Sequence, residues 1–97
     1  MTAIERNPAA VKEGEAAARD NGLSDRVTFL AADAEHGLSQ VDHAGLDALV
    51  VDPPRRGLAP GLVAALTGMK FQTLLYVSCD PNTLVRDLEA LAEAFTV

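Results

Sequence analysis

The chain has 97 residues, enough for one small domain with a narrow margin of buried surface. Hydrophobic residues make up 48% and charged residues 23%, and no apolar run is long enough to span a bilayer. A single cysteine excludes internal disulfides and is typical of a reducing, cytoplasmic compartment. The net charge of −6 argues against electrostatic capture of nucleic acid by this chain alone.

The first half of the chain predicts two strands and two helices. Residues Thr2–Glu5 are typical of the end of a strand. An alanine-rich helix is predicted to begin after Asn7, a good capping residue, and to end at the Asn-Gly pair 21–22. The apolar run 27–31 predicts a second strand, and residues 33–38 predict a short helix.

The second half repeats this alternation. Residues 46–51 predict a strand that two prolines stop, and a helix is expected after Pro60. Residues 74–77 predict another buried strand, and Pro81 opens a last helix. The apolar positions of that helix recur at helical spacing: Leu84, Val85, Leu88, Leu91, Ala92 and Phe95.

The strands are continuous apolar runs without alternation, which is typical of strands that are covered on both faces. Strand–helix alternation independently predicts parallel strands with helices on each side. The predicted fold class is therefore α/β, a doubly wound parallel sheet.

Polar residues follow each predicted strand, at the edge where ligands bind in such sheets. They are Glu5, Asp33, Asp52 and the group Ser78-Cys79-Asp80. Each has a plainer interpretation. Asp33 and Asp80 could simply cap the helices that follow them, Glu5 could be a solvated surface acid, and a lone cysteine is more often an inert apolar residue than a nucleophile.

The surroundings of Cys79 favour a reactive thiol. It lies between a strand and a predicted helix, where unpaired N–H groups and the positive end of the helix dipole would favour its thiolate form. Asp52 ends the preceding strand and is followed by two prolines that stiffen the backbone. Arg55 then offers a bidentate donor suited to phosphate or carboxylate.

Two motifs occur together in this order: Asp52-Pro53-Pro54-Arg55-Arg56-Gly57, and, after a spacer, Leu74-Leu75-Tyr76-Val77-Ser78-Cys79-Asp80-Pro81-Asn82-Thr83. In this the chain resembles the bacterial RNA uridine-5-methyltransferases, which make 5-methyluridine in ribosomal or transfer RNA. The resemblance covers essentially all of residues 1–97. The two motifs in this order and at this spacing are much more specific than either motif alone.

The resemblance implies that residues 1–97 are part of a Rossmann-like methyltransferase domain that uses S-adenosylmethionine, without a metal. It implies that Cys79 is the nucleophile and that Glu5 and Asp33 contact the ribose and adenine of the cofactor. Asp52 would orient cofactor or uracil, and Arg55 would bind the RNA substrate. A target uridine in structured RNA would have to be flipped out of its stack.

Two features depart from the family pattern. Asp80 stands where the family usually has Asn, and an unpaired anion there would disfavour the thiolate. The family's first strand, its glycine-rich loop and its proton-abstracting glutamate are not found in residues 1–97. The chain alone is therefore expected to be inactive, to bind S-adenosylmethionine weakly, and to self-associate through the sheet edge where the first strand would pair.

Two other interpretations remain open. A methyltransferase that acts on an exocyclic amine of a nucleobase would use Asp52 but would need no nucleophile at Cys79. Alternatively, the chain could be an isolated domain that folds and catalyses nothing.

Overall fold

The computed structural model describes residues 1–69 and 71–96, which form two compact units. The first unit, Met1–Val41, contains strand β1 (Thr2–Glu5), helix α1 (Pro8–Asp20), strand β2 (Thr28–Ala31) and helix α2 (Ala34–Ser39). The second unit begins at Asp42. It contains a short 3-10 turn at His43–Gly45 and then β3 (Ala48–Val51), α3 (Pro60–Gly68), β4 (Thr73–Tyr76) and α4 (Pro81–Leu91).

In the first unit, β1 and β2 are parallel, with Thr2 opposite Thr28 and Glu5 opposite Ala31. The predicted cap of α1 is confirmed, because the Asn7 side chain accepts a hydrogen bond from the Ala9 amide at 3.0 Å. Gly14, which weakens a helix interior in isolation, is needed for packing: a Cβ at this position would lie 2.5 Å from the Phe29 ring of β2.

In the second unit, β3 and β4 are parallel, with Leu49 opposite Leu74 and Val51 opposite Tyr76. Leu74 and Tyr76 point to the face where α4 lies and line a shallow pocket with apolar residues of that helix. The buried apolar residues of this unit come from the loop after β3, from α3, from the turn before β4 and from α4: Leu58, Leu66, Phe71 and Leu91.

The α/β class and all eight predicted helices and strands are confirmed, and apart from the end of α4 their ends differ by one or two residues. α4 ends at Leu91, so that Phe95, predicted to belong to its apolar stripe, lies beyond the helix. The described strands do not form one continuous sheet but two separate two-stranded parallel sheets, β1-β2 and β3-β4. Alternation specifies parallel strands but does not specify which strands are neighbours.

The prediction that both sheet faces are covered is also wrong for the described part of the second unit. Val50 and Leu75, which are register partners, are 61% and 56% exposed, and Val77 is 46% exposed. Continuous apolar runs indicate that a strand is able to be buried on two faces, but α4 packs on only one of them.

Self-association therefore remains a prediction for the isolated chain. A two-stranded sheet has an unpaired edge on each side, and an exposed apolar face next to such an edge favours association. We expect light scattering to give a mass above 10.2 kDa that rises with concentration. A well-folded monomer at all concentrations would contradict this expectation.

None of the helices in residues 1–69 and 71–96 combines the length and the apolar character needed to cross a membrane.

Candidate active site

The residues expected to form a site lie at the carboxyl ends of the four strands. Glu5 ends β1, and Asp33 follows β2 by two residues, both in the first unit. Asp52 and Arg55 follow β3, and Cys79 follows β4, all in the second unit. Because both strand pairs are parallel, each unit brings its own residues to one edge of its sheet.

In the first unit, both acids hold the start of a helix segment. Glu5 accepts a hydrogen bond from the Asn7 amide at 2.8 Å through Oε1, and Asp33 caps α2 by accepting from the His36 amide at 2.9 Å through Oδ1. The capping interpretation of Asp33 is therefore confirmed. Both side chains are exposed, and among the described residues no hydrogen bond reaches the second oxygen of either carboxylate.

In the second unit, the β3–β4 register brings Asp52 close to the turn that carries the thiol. Val51 is the partner of Tyr76, and the Val77 amide donates to the Val51 carbonyl at 2.8 Å, so that Asp52 lies beside Val77. Cys79 is two residues further along the same edge. Asp52, Arg55 and Cys79 are all exposed, so that a carboxylate, a guanidinium and a thiol are accessible from solvent.

The turn around Cys79 is fixed by the residues on either side of it. The Ser78 hydroxyl donates to the Asp80 carbonyl at 2.9 Å and accepts from the Asp80 amide at 3.0 Å. The Asp80 carboxylate caps α4 by accepting from the amides of Asn82 at 2.9 Å and Thr83 at 3.2 Å. The backbone at Cys79 is therefore held between two braced neighbours.

This geometry corrects two expectations about Cys79. The first-turn amides of α4 that were expected to face the thiol are bound by the Asp80 carboxylate, because a capping acid lies closer to them than the preceding side chain. Asp80 is also not the unpaired anion considered in the sequence analysis, since two amides stabilise its charge. Asp80 thus acts as a cap, which Asn would do equally well.

Two substitutions at Asp80 test whether its side chain stabilises the protein by capping α4. Asp80→Ala is expected to lower the free energy of unfolding by about 1 kcal/mol, and Asp80→Asn should change it by only a few tenths. Denaturant titrations measure both differences, and a loss in Asp80→Asn as large as that in Asp80→Ala would contradict the capping role.

The loop that follows Asp52 is bound along α4. Thr83 Oγ1 donates to the Arg55 carbonyl at 2.9 Å, and the Arg86 guanidinium donates to the Arg56 carbonyl at 2.8 Å. The Leu58 amide donates to the Asp87 carboxylate at 2.8 Å. Three side chains of one helix therefore hold backbone groups of residues 55, 56 and 58 in the loop after Asp52.

Asp87 is the buried acid at the centre of these contacts, with 2% of its surface exposed. The Tyr76 hydroxyl donates to it at 2.6 Å, and Arg86 forms an ion pair with it at 2.8 Å. Burial by itself would raise the pKa of Asp87, but the hydrogen bonds from Tyr76, Leu58 and Arg86 outweigh burial and hold the pKa below its usual value. Asp87 is therefore a stabilised buried anion.

The pKa of Tyr76 is raised, whereas that of Asp87 is lowered. Burial, and then the hydrogen bond to Asp87 and the charge of Asp87, raise the pKa of Tyr76 to about 12, because a phenolate could neither donate to the carboxylate nor lie beside it without repulsion. The charge of Cys79 also raises this pKa, and Arg86 lowers it. The phenol and the thiol are thus electrostatically coupled.

The raised pKa of Tyr76 predicts a loss of stability in alkali. The unfolded state ionises this phenol near its ordinary pKa of 10.0 and the folded state only near 12, so that stability falls as pH rises between these values. From about pH 9 to about pH 11, wild type should lose about 1 kcal/mol more of its free energy of unfolding than Tyr76→Phe. Denaturant titrations of both proteins measure the difference, and parallel pH profiles would contradict the assignment.

Sequence reasoning missed Tyr76, Thr83, Arg86 and Asp87. One signal for Asp87 was present: it lies three residues after Leu84 and four before Leu91, on the apolar face of α4. A charged residue at such a position is typically a buried acid with partners. Nothing in the local sequence identified the partners, which come from the loop after β3 and from β4.

Comparison with known proteins agrees with the arrangement of the second unit. The family model described as tRNA (Uracil-5-)-methyltransferase matches residues 36–97. An uncharacterized RNA methyltransferase of Clostridium tetani is 38% identical over 86 residues, which are 87% of this chain and 18% of the relative. A 23S rRNA (uracil(747)-C(5))-methyltransferase, RlmC, of Vibrio cholerae is 37% identical over 92 residues, 95% of this chain and 24% of the relative.

A third relative, an uncharacterized RNA methyltransferase of Lactiplantibacillus plantarum, is 37% identical over 92 residues, 93% of this chain and 20% of the relative. The chain thus spans about a fifth of the length of the curated relatives it matches. The matched region includes both sequence motifs, with the exposed thiol and the loop after Asp52 that is hydrogen-bonded to α4. This chain belongs to the tRNA (uracil-5-)-methyltransferase family.

Proposed function

We propose that this chain is the part of an S-adenosylmethionine-dependent RNA uracil-5-methyltransferase that supplies the nucleophile, Cys79, within a Rossmann-like domain. The observation that carries the proposal is the edge of the β3–β4 sheet. There an exposed thiol follows β4 in a braced turn, and an exposed carboxylate, Asp52, follows the neighbouring strand. Family membership makes uracil in RNA the substrate class to test first.

The acids of the first unit have the right chemistry for a nucleoside. Ribose hydroxyls and the adenine amino group are hydrogen-bond donors, and Glu5 and Asp33 are exposed acceptors. Each uses one carboxylate oxygen to hold a backbone amide, which fixes the direction of the other. Glu5 would hold the ribose and Asp33 the adenine of S-adenosylmethionine. When bound, this cofactor supplies an electrophilic methyl group.

Cys79 would act by covalent catalysis. Uracil C5 is a weak nucleophile, and addition of the Cys79 thiolate to C6 pushes electron density onto C5 as an enolate, which makes attack on a methyl group feasible. After C5 is methylated, a base removes its proton and the C6–S bond breaks, which releases the thiolate and restores the aromatic ring. Asp52 would orient uracil or the cofactor next to the thiol.

Arg55 would bind the RNA backbone. Its guanidinium is exposed and can form bidentate bonds with a phosphate, while its own carbonyl is held by Thr83. One arginine cannot supply the affinity that RNA binding requires, and the net charge is −6. Most of the phosphate contacts must therefore come from other regions of the enzyme.

Covalent trapping tests this proposal in the full-length enzyme that contains the chain. RNA that carries 5-fluorouridine has no removable proton at C5, so that the Cys79–C6 bond should persist after methylation. We expect a protein–RNA adduct that survives denaturation, requires S-adenosylmethionine and maps to Cys79 by mass spectrometry. RNA with 5-methyluridine already at the target is the matched control and should not be trapped. Absence of the adduct in an enzyme that methylates RNA would instead indicate an exocyclic-amine methyltransferase.

A further inference from the structure

Asp87 is a buried carboxylate on α4 whose hydrogen-bond partners come from three parts of the second unit. Asp87 is 2% exposed and accepts four hydrogen bonds, from Leu58, from Tyr76 and two from Arg86. Burying a carboxylate carries a large desolvation cost, which these four hydrogen bonds offset, while the Arg86 side chain remains 59% exposed. Two of the donors belong to other parts of the second unit, so that Asp87 also fixes where the Leu58 amide and the Tyr76 hydroxyl lie.

Asp87 belongs to a clamp, which we define as the side chains of Thr83, Arg86 and Asp87. These residues are spaced i, i+3 and i+4, so that they lie on one side of α4. They bind the carbonyls of residues 55 and 56 and the amide of residue 58. Three backbone groups of the loop, which belong to residues 55, 56 and 58, are thus attached to α4.

The clamp also reaches both sides of the Cys79 turn. α4 begins two residues after Cys79 and is capped by Asp80, while Tyr76, which donates to Asp87, lies three residues before Cys79. One carboxylate therefore connects the end of β4, the helix after the thiol and the loop after Asp52. The effect of the Cys79 charge on Tyr76 agrees with this proximity.

We propose that Asp87 is a positioning residue: it attaches the loop that begins at Asp52 to the helix that begins beside Cys79, and so holds the carboxylate of Asp52 and the guanidinium of Arg55 at a fixed place relative to the thiol. Asp87 is itself buried and touches no substrate. The effect of Asp87 on the reaction rests on the proposed function. The attachment of the loop to α4 by Asp87 does not depend on that function.

The attachment can be tested on the chain itself with Asp87→Asn. Asparagine preserves shape but has only one acceptor oxygen, so that its amide group must face either the Leu58 and Tyr76 donors or the Arg86 guanidinium. If the amide group faces Leu58 and Tyr76, the Leu58 amide loses its acceptor; if it faces Arg86, the guanidinium that holds the Arg56 carbonyl loses its ion pair and is repelled. Hydrogen exchange should accelerate about tenfold or more at the Leu58 and Gly57 amides, while exchange in α1 of the first unit should not change.

Glu89→Gln is the matched control, because it removes one exposed carboxylate from the same helix. It should leave the exchange of Leu58 unchanged. If Asp87→Asn unfolds the unit, Tyr76→Phe, which removes a single hydrogen bond to Asp87, gives a milder test with a smaller effect in the same direction. Wild-type protection of Leu58 in a folded Asp87→Asn chain would overturn the proposal.

The effect on the reaction is measured in the full-length enzyme as the rate of adduct formation with 5-fluorouridine RNA. At saturating RNA and S-adenosylmethionine, Asp87→Asn should slow this step about tenfold or more and leave both dissociation constants within about threefold of wild type. A merely structural role would instead lower the fraction of active enzyme, with a normal rate in the remainder. A wild-type rate would overturn the positioning role.

Failure of the proposed function is distinguishable from failure of this inference. If wild-type enzyme forms no adduct, Cys79 is not the nucleophile, and the exchange experiment still decides whether Asp87 holds the loop. If the adduct forms at equal rates in wild type and Asp87→Asn, the proposed function stands and the positioning role is wrong.

Discussion

Replacement of Cys79 by alanine in the full-length enzyme is expected to abolish 5-methyluridine formation, a loss of at least about a thousandfold in rate. Without the thiolate, nothing adds to C6, and C5 remains too weakly nucleophilic to take a methyl group. Cys79→Ser should leave at most a trace of activity, because a serine hydroxyl is not ionised near neutral pH. Methylated nucleosides in digested RNA, quantified by mass spectrometry, measure both effects.

The Cys79 variants should lose activity without losing structure. Cys79 is exposed, and an exposed substitution away from special backbone positions usually changes stability by less than about 0.5 kcal/mol. Both variants should therefore unfold at the wild-type denaturant concentration and bind S-adenosylmethionine with unchanged affinity. Methylation by Cys79→Ala at a tenth of the wild-type rate or more would exclude Cys79 as nucleophile and favour amine methylation, which needs no thiol.

Gly57→Ala should be among the most destabilising substitutions in the second unit, at about 2–4 kcal/mol. Gly57 has a φ of +82°, where a side chain is strained. A Cβ there would also overlap the Thr83 methyl group and lie 2.5 Å from both the Arg86 guanidinium and the Asp87 carboxylate. The Arg86 and Asp87 atoms are hydrogen-bonded to the loop and cannot move without breaking the clamp.

Gly45→Ala is the control for this experiment. Gly45 lies in the same unit, has no positive φ, and a Cβ there would meet nothing within 4 Å. Its denaturant midpoint should match that of wild type, while the midpoint of Gly57→Ala should be clearly lower. Equal midpoints for the two variants would show that the loop after Asp52 moves away from α4 at little cost, which would also weaken the positioning role of Asp87.

Local sequence was sufficient for the elements and for most of their ends, the C-terminal end of α4 excepted. Asn7, Asp33 and Asp80 cap α1, α2 and α4 through contacts that span two or three residues. Capping depends on residues close in sequence, and apolar periodicity depends on a single helix or strand, so both can be predicted without tertiary structure. The same local reasoning located Glu5, Asp33, Asp52, Arg55 and Cys79 at strand ends.

Long-range contacts decided what local sequence left open. Asp87 meets the Leu58 amide across 29 residues and the Tyr76 hydroxyl across 11, and no periodicity specifies such partners. The same applies to the strand pairs β1-β2 and β3-β4 and to the exposure of Val50 and Leu75, which depend on what packs against each face. The sequence by itself therefore determined the elements, their caps and the residues that end each strand. Only the tertiary structure decided that a buried carboxylate on α4 holds the loop after Asp52, because that requires groups distant in sequence to meet in a water-poor site.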